Sequence, residues 1–375
     1  MGADVVVAGA GVAGTTLAYE LSRRGVSVVL LERGENGPVG ASTVPAALIN
    51  PHRGRSGRAK PADTAGAAAF WELVRSVEAA VGRSGAHPTG VLRVADNARQ
   101  ARLWQKLEGT DWLEPGDVPP EYHAPFGAML VPKSGWLRSG EWLSALAAAA
   151  RLGSAEILNG VELVGVERAK GERNGAVTGA VTGAVVRTTS AGDAAGPSLT
   201  EGSLGTDGYR AARSSLSSNR TSVIACRAVV VATGAWQPAE LPLPRFELVW
   251  GEARALDLGS TPPLPLAGSV VAAFEGGKAF VTGGHRHAGW LGEPAAVAEG
   301  DVDLQRAVKW QVPAAAEARV LESWTGVRAK RPSGEPVARR LQPGVHMLAA
   351  FGGRGFLRVA PLAARLADEL AARLS

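Results

Sequence analysis

Apolar and polar positions follow two rhythms along this chain. Residues 4–8 (Asp-Val-Val-Val-Ala) are a short β-branched run, the pattern of a strand covered on both faces. A glycine turn follows, then residues 12–24, where Leu17 and Leu21 fall on one helical stripe. Gly25 stands where a helix end favours a residue tolerant of positive φ. Residues 26–31 form a second buried-strand run that ends at Glu32. Strand, helix and strand at this spacing predict a βαβ unit and a parallel sheet. A helix is expected over 64–81, carrying Phe70, Trp71, Val74 and Val77, and another over an Ala-rich stretch through Leu152 that Ser139 would N-cap. Runs 90–94 and 127–131 read as strands of a different, more antiparallel layer, and strand text returns at 155–167 and 228–232. A second antiparallel region is expected over about 246–290. The chain closes with a strand at 345–351, a glycine loop and a helix from about Phe356 to Leu374.

Between 170 and 222 the pattern breaks down. A Gly-Ala-Val-Thr repeat from Gly175 to Val185 runs into Ser/Gly/Thr/Asn text with few large apolar residues. Such text buries too little surface to offset its ordering entropy, so a mobile hairpin insertion is expected there. Elsewhere, 375 residues at 46% hydrophobic and 20% charged suffice for one large or two ordinary domains with real cores. The lone Cys226 excludes an internal disulfide framework and a zinc site built on several thiolates. No apolar run reaches the roughly 18 residues of a membrane helix, and the first residues lack the basic start of a secretory signal. A soluble, cytoplasmic protein is the expectation. The net charge of +5 comes mostly from arginines interleaved with acids, as on an ordinary solvated surface. The densest basic patch, Arg53 to Lys60, keeps a charged substrate or an RNA partner in view.

Gly9-Ala10-Gly11-Val12-Ala13-Gly14 is a G-x-G-x-x-G between the first strand and the first helix, with the acid Glu32 at the next strand end. That conjunction is the dinucleotide fingerprint. Gly9 would permit the tight turn, Gly11 the approach of a pyrophosphate, and Gly14 close helix–strand packing, while the helix N-terminus stabilises the anion. Glu32 would accept the hydroxyls of an adenosine ribose and repel a 2′-phosphate, which disfavours NADP. Near the other end, Gly352, Gly353 and Gly355 let backbone N–H groups approach a ligand and open the last helix toward it. No G-x-S-x-G nucleophile elbow is present.

Four segments carry a family resemblance. Val229 to Trp236, with Ala232-Thr233-Gly234, resembles the second signature of flavoproteins with two dinucleotide-binding domains. Gly40-Ala41-Ser42-Thr43 resembles their segment against the pyrophosphate and flavin, and Glu322 to Arg328 and Phe351 to Phe356 resemble the closing pattern of the D-amino-acid oxidase-like FAD oxidoreductases. Within that family the likeness is to glycine oxidases and to the FAD domain of the bacterial enzyme that modifies tRNA wobble uridine. It covers nearly the whole chain outside 170–222 and is more specific for cofactor and fold than for substrate.

The resemblance implies an α/β protein with an α+β substrate domain. A Rossmann-like FAD-binding domain with a three-layer ββα arrangement would use 1–85, 138–238 and 322–375; an antiparallel substrate domain would use 86–137 and 239–321. FAD would be held by Gly9 to Gly14, Glu32, Arg33, Ala41, Ser42, Ala46, Ala47, Leu163, Thr233, Gly234, and Gly353 to Leu357. Arg328 would grip a substrate carboxylate, unless it pairs with Glu322 or Glu335. Arg354, His285 and His52 would be further catalytic candidates. His285 and His287 have no nearby acid or cysteine to suggest a metal.

Two departures stand out. Ala329-Lys330-Arg331 precedes Pro332, where the family places Pro directly, and Val270 occupies a position where glycine oxidases carry a tyrosine. The expected reaction is FAD-dependent oxidation of a C–N bond in a carboxylate-bearing amino acid or secondary amine, by hydride transfer to flavin N5 and imine hydrolysis. Oxygen or another acceptor would take up the electrons. The alternatives are oxidative removal of a carboxymethyl group from a modified tRNA wobble uridine, and a non-catalytic flavoprotein.

Overall fold

Burial follows the two rhythms. Val5, Val6, Val7 and Ala8 close the strand Gly2–Ala8 and are all buried, as are the five residues of Val28–Glu32. The computed structural model describes residues 2–168, 172–173, 176–177, 181–188, 221–236, 238, 241–268, 271–290 and 304–374.

The first sheet is parallel at its centre. Gly2–Ala8 lies between Val28–Glu32 and Thr221–Val231. Ala155–Asn159 extends one side and Val345–Ala349 the other, all in parallel. The front half of Thr221–Val231 pairs antiparallel with Val181–Thr188, which pairs in turn with Val161–Arg168, so one long strand serves two layers. Helices Val12–Ser22, Pro61–Val81, Ser139–Leu152 and Gly355–Leu374 pack on the opposite side around Leu17, Phe70, Trp142 and Leu366. The rings of Phe70 and Trp142 meet at 5.1 Å, and truncating either would cost on the order of 3–5 kcal/mol.

The second sheet is antiparallel apart from one parallel contact. Its order is Arg319–Lys330, Glu247–Asp257, Lys278–Trp290, Val271–Glu275, Leu266–Ala267, Val91–Val94, Ala128–Val131, Asp111–Leu113. Leu266–Ala267 and Val91–Val94 make the parallel contact. Pairing of Arg319–Lys330 with Glu247–Asp257 puts residues 322–330 on this sheet, not on the parallel one. A bridge from Lys330 to Phe351 then joins its edge to the loop that follows Val345–Ala349. The ends of the two sheets meet there.

Three sequence expectations change. Ser139 is the first residue of its helix; the extended Arg138 holds the cap position, because strand Gly135–Arg138 runs straight into the helix. The expected strand over 155–167 divides at Gly160, whose φ of 68° turns the chain from the parallel sheet into the antiparallel layer. Within the expected insertion, Val181–Thr188 is an interior strand, with Val181, Ala184 and Val186 buried against Leu163 and Ile224. The repeat's low-complexity composition concealed those apolar contacts. Most of the remaining 170–222 expectation lies outside the described residues.

Candidate active site

The strand–turn–helix at the front of the chain has no room for larger residues. Gly9 takes φ 98°, and a Cβ there would sit 2.7 Å from the Ala232 carbonyl oxygen. A Cβ on Gly14 would lie 1.9 Å from the Gly9 carbonyl oxygen, so only glycine lets the helix rest on the turn. At Gly11 a Cβ would meet Ser42 Oγ at 3.1 Å, and that hydroxyl accepts the Val12 N–H at 3.0 Å. Gly11 caps the helix without a side chain, leaving the N-terminal turn open to an anion.

Glu32 is buried behind this turn. One carboxylate oxygen accepts the Ala10 N–H at 2.9 Å and the other the Gly34 N–H at 3.0 Å. Burial pushes its pKa up, and those two bonds oppose the rise. Each oxygen retains a lone pair for a ribose hydroxyl. Arg33 lays its guanidinium over Trp236, 3.4 Å from the ring centroid. The Thr233 hydroxyl donates to the Trp236 carbonyl at 2.6 Å and closes the second turn, in which Gly234 has φ 64°.

These elements enclose a cavity of about 390 Å³. It is lined at one end by Glu32, Arg33 and Leu163, along its length by Ala41, Ser42, Ala46 and Ala47, and at the other end by Gly353, Gly355, Phe356 and Leu357. Ala10 and Gly14 stand behind the lining. The cradles that a Cβ would fill, the open helix ends and the backbone-held carboxylate suit a long dinucleotide.

The far end holds the arginines. Arg328 lines the cavity with its guanidinium flat on Gly251, where a Cβ would come within 2.6 Å of Nη2. Burial, and then the charge of Arg53, hold its pKa below the ordinary arginine value. Arg53 enters from the N-terminal segment and donates to the Gly353 carbonyl at 3.3 Å. Arg93, which the sequence reading missed, donates to the carbonyls of His52 at 3.1 Å, Gly54 at 2.9 Å and Ala267 at 3.4 Å, and stacks on Trp104. Burial lowers its pKa to about 10. Its one advance signal was a charge inside Val91–Val94, a strand whose four residues are all buried. Ala350, at φ 64°, is the non-glycine residue with positive φ among those described; it lines the cavity just before the glycine loop.

The other candidates separate. His52 lines the cavity, but its Nδ1 donates to the Gly57 carbonyl at 2.8 Å, which pins the loop. Burial lowers its pKa; the Gly57 bond opposes this and Arg93 adds to it. Arg354 turns to the Gly334 carbonyl and to Asp63, 3.7 Å away, and is not among the cavity-lining residues. Its neighbour Arg358 ties Asp63 at 2.5 Å to Glu335 at 2.7 Å, so Glu335 is engaged away from Arg328. The backbone of His285 lies in Lys278–Trp290, and its side chain, like Val270, is outside the described residues. No cluster of three or more potential metal ligands occurs among the described residues, and no described helix is long and apolar enough to cross a membrane.

Comparison with known proteins agrees with this geometry. The chain is 28% identical over 371 residues to the tRNA 5-methylaminomethyl-2-thiouridine biosynthesis bifunctional protein of Maricaulis maris; it is matched over 98% of its own length and spans 52% of that relative. Its fold resembles glycine oxidase from Geobacillus kaustophilus (TM-score 0.71, 20% identity, 99% of this chain and 95% of that one). It also resembles iminodiacetate oxidase from Chelativorans sp. BNC1 (TM-score 0.68, 19% identity, 98% and 94%). The model of the FAD dependent oxidoreductase family, DAO, matches residues 4–370, and the chain belongs to that family of FAD-dependent enzymes.

Proposed function

We propose that this oxidoreductase acts on the C–N bond of an amino acid or secondary amine that carries a carboxylate. The observation carrying the reading is Arg328, a half-buried guanidinium beside Gly353 in the cavity that the dinucleotide cradle opens into. FAD, when bound, supplies the two-electron acceptor that converts such an amine to an imine, which water hydrolyses. We assign its adenosine end to Glu32, Arg33 and Leu163, its pyrophosphate to Gly11 and Ser42, and its ring to the loop from Gly352 to Leu357. Arg328 offers two parallel N–H donors to a carboxylate and keeps its charge when water is excluded. It would thereby fix the reacting carbon in one orientation. The lowered pKa of His52 keeps that imidazole neutral near pH 7, so it adds no positive charge against a protonated amine. The names of the relatives that act on glycine and iminodiacetate support this substrate class.

Anaerobic mixing of the FAD-loaded protein with a panel of amino acids and N-alkylglycines tests the reading. At least one member should bleach the flavin, and Arg328→Gln should lower kcat/KM for it by roughly a hundredfold or more. A panel in which nothing bleaches would remove the proposal.

A second reading rests on the surface around the cavity mouth. Gln100 and Trp104 donate to the Arg55 carbonyl at 3.2 Å, which brings exposed Arg55 and Arg58 beside exposed Arg99, Arg102 and Lys106. Such a patch suits the phosphates of an RNA, and the curated relative modifies tRNA. Binding of tRNA that falls steeply with salt would favour this reading; no binding at low salt would exclude it.

A further inference from the structure

We propose that Asp63 is a positioning residue that sets, from behind, both the seat and the charge of the loop assigned to the flavin ring, Gly352 to Leu357. This deepens the assignment of that loop and rests on it. Helix Gly355–Leu374 begins at the cavity, with Arg358 but no acid in its first turn and Arg354 just before it. Cations there face the positive end of the macrodipole, where acids are favoured. The missing acid comes from another element. Asp63, in the first turn of Pro61–Val81, accepts the Arg358 Nε–H at 2.5 Å and lies 3.7 Å from Arg354 Nη1. Neither arginine is among the residues that line the cavity, so both act on the loop from its far side.

The cluster ties three distant segments together. Arg358 Nη1 donates to Glu335 at 2.7 Å, and Arg354 donates to the Gly334 carbonyl. Gly334, at φ 72°, and Glu335 belong to the turn between Arg319–Lys330 and Val337–Gln342. One helical turn beyond Asp63, Gly66 comes so near that a Cβ on it would lie 2.3 Å from the Leu357 carbonyl oxygen. The side chains of Asp63 and Arg358 are only 4% and 5% exposed, so water and salt screen their charges weakly. A buried ion pair stabilises a fold little more than an apolar contact of the same volume. What this one adds is charge at a fixed place. Arg354 and Arg358 are balanced by Asp63 and Glu335, and Asp63→Asn would leave the cluster one unit positive. Gain of a hydride makes a flavin one unit more negative, so the unbalanced charge would favour the reduced form. The parent carboxylate holds that preference down while it anchors the loop.

The test uses the FAD-loaded enzyme and reads potential and release, not turnover. Each variant is reduced against dyes of known potential, and loss of FAD is followed by the rise in flavin fluorescence. Asp63→Asn should raise the midpoint potential and release oxidised FAD at least about tenfold faster. Asp63→Glu, which restores the charge, should return the potential toward the parent value even where its longer side chain loosens the loop. Arg354→Gln removes a positive charge and leaves the Asp63–Arg358 pair in place; it should lower the potential, so the test does not depend on one variant folding. Potentials unchanged in Asp63→Asn and Arg354→Gln, or equal shifts in Asp63→Asn and Asp63→Glu, would overturn the inference. Gly355→Ala, whose methyl would stand 3.2 Å from Val12 in the cavity lining, separates it from the loop assignment. If that variant alters flavin absorption or release while the Asp63 and Arg354 variants alter nothing, the inference falls alone. If none of them affects the flavin, the loop assignment falls with it.

Discussion

Glu32 shows how one side chain is made ready for a ligand. Its two oxygens are positioned by the N–H groups of Ala10 and Gly34, so the carboxylate is oriented by the same turn that opens the helix. Glu32→Gln keeps the volume, but presents an amide N–H to one of those donors and removes the negative charge. FAD affinity should fall roughly ten- to a hundredfold, as for loss of a charge-assisted hydrogen bond, read by quenching of flavin fluorescence on titration. A variant that binds FAD as well as the parent would remove Glu32 from the site. The fingerprint was legible at this scale because its glycines are demanded by backbone contact: any Cβ at Gly14 would strike the Gly9 carbonyl. Arg93 was not legible, since the three carbonyls it binds belong to segments that only the folded chain brings together.

At the scale of elements, helix Gly355–Leu374 holds the Gly353 end of the cavity in place. Pro61–Val81 crosses it so closely that a Cβ on Gly66 would lie 2.3 Å from the Leu357 carbonyl oxygen. Both partners at that contact are backbone, so Gly66→Ala must displace one helix from the other. The expected cost is about 1–3 kcal/mol in urea unfolding, as for other overpacked sites. FAD should also be released faster, because Phe356 and Leu357 line the cavity. Unchanged unfolding and release would show that the two helices yield there without consequence. Helices with strong apolar stripes were readable from the sequence within a few residues of their observed ends. The edge strand Arg319–Lys330 was not, because its exposed and half-buried residues carry no clear alternation and its place comes from pairing with Glu247–Asp257. Val181–Thr188 was hidden for a related reason: glycine-rich, repetitive text reads as unstructured until its neighbours on both sides are known.

The whole molecule responds to acid through a residue remote from the chemistry. His346 is buried in Val345–Ala349. Desolvation, with Arg373 and Arg340 adding repulsion, lowers its pKa to about 4 from an ordinary 6.5. The native state therefore holds this imidazole neutral, while the unfolded chain binds a proton as pH falls below the ordinary value. The resulting stability is present above that value and is lost between about 6.5 and 4, amounting to up to about 3 kcal/mol across the window. Melting temperature should drop as pH falls through this range, and His346→Leu should flatten the slope. An unaltered slope in that variant would assign the acid sensitivity to other groups.

The central sheet also carries a consequence for biosynthesis. Val345–Ala349 slots beside Thr221–Val231, and the loop after it supplies one end of a pocket whose other end begins at Gly9. A ribosome-bound polypeptide thus exposes its nucleotide fingerprint early, but completes the pocket only when Leu357 has left the exit tunnel. Flavin capture in this sense waits on the later segment, reporting that two stretches far apart in the sequence have found each other.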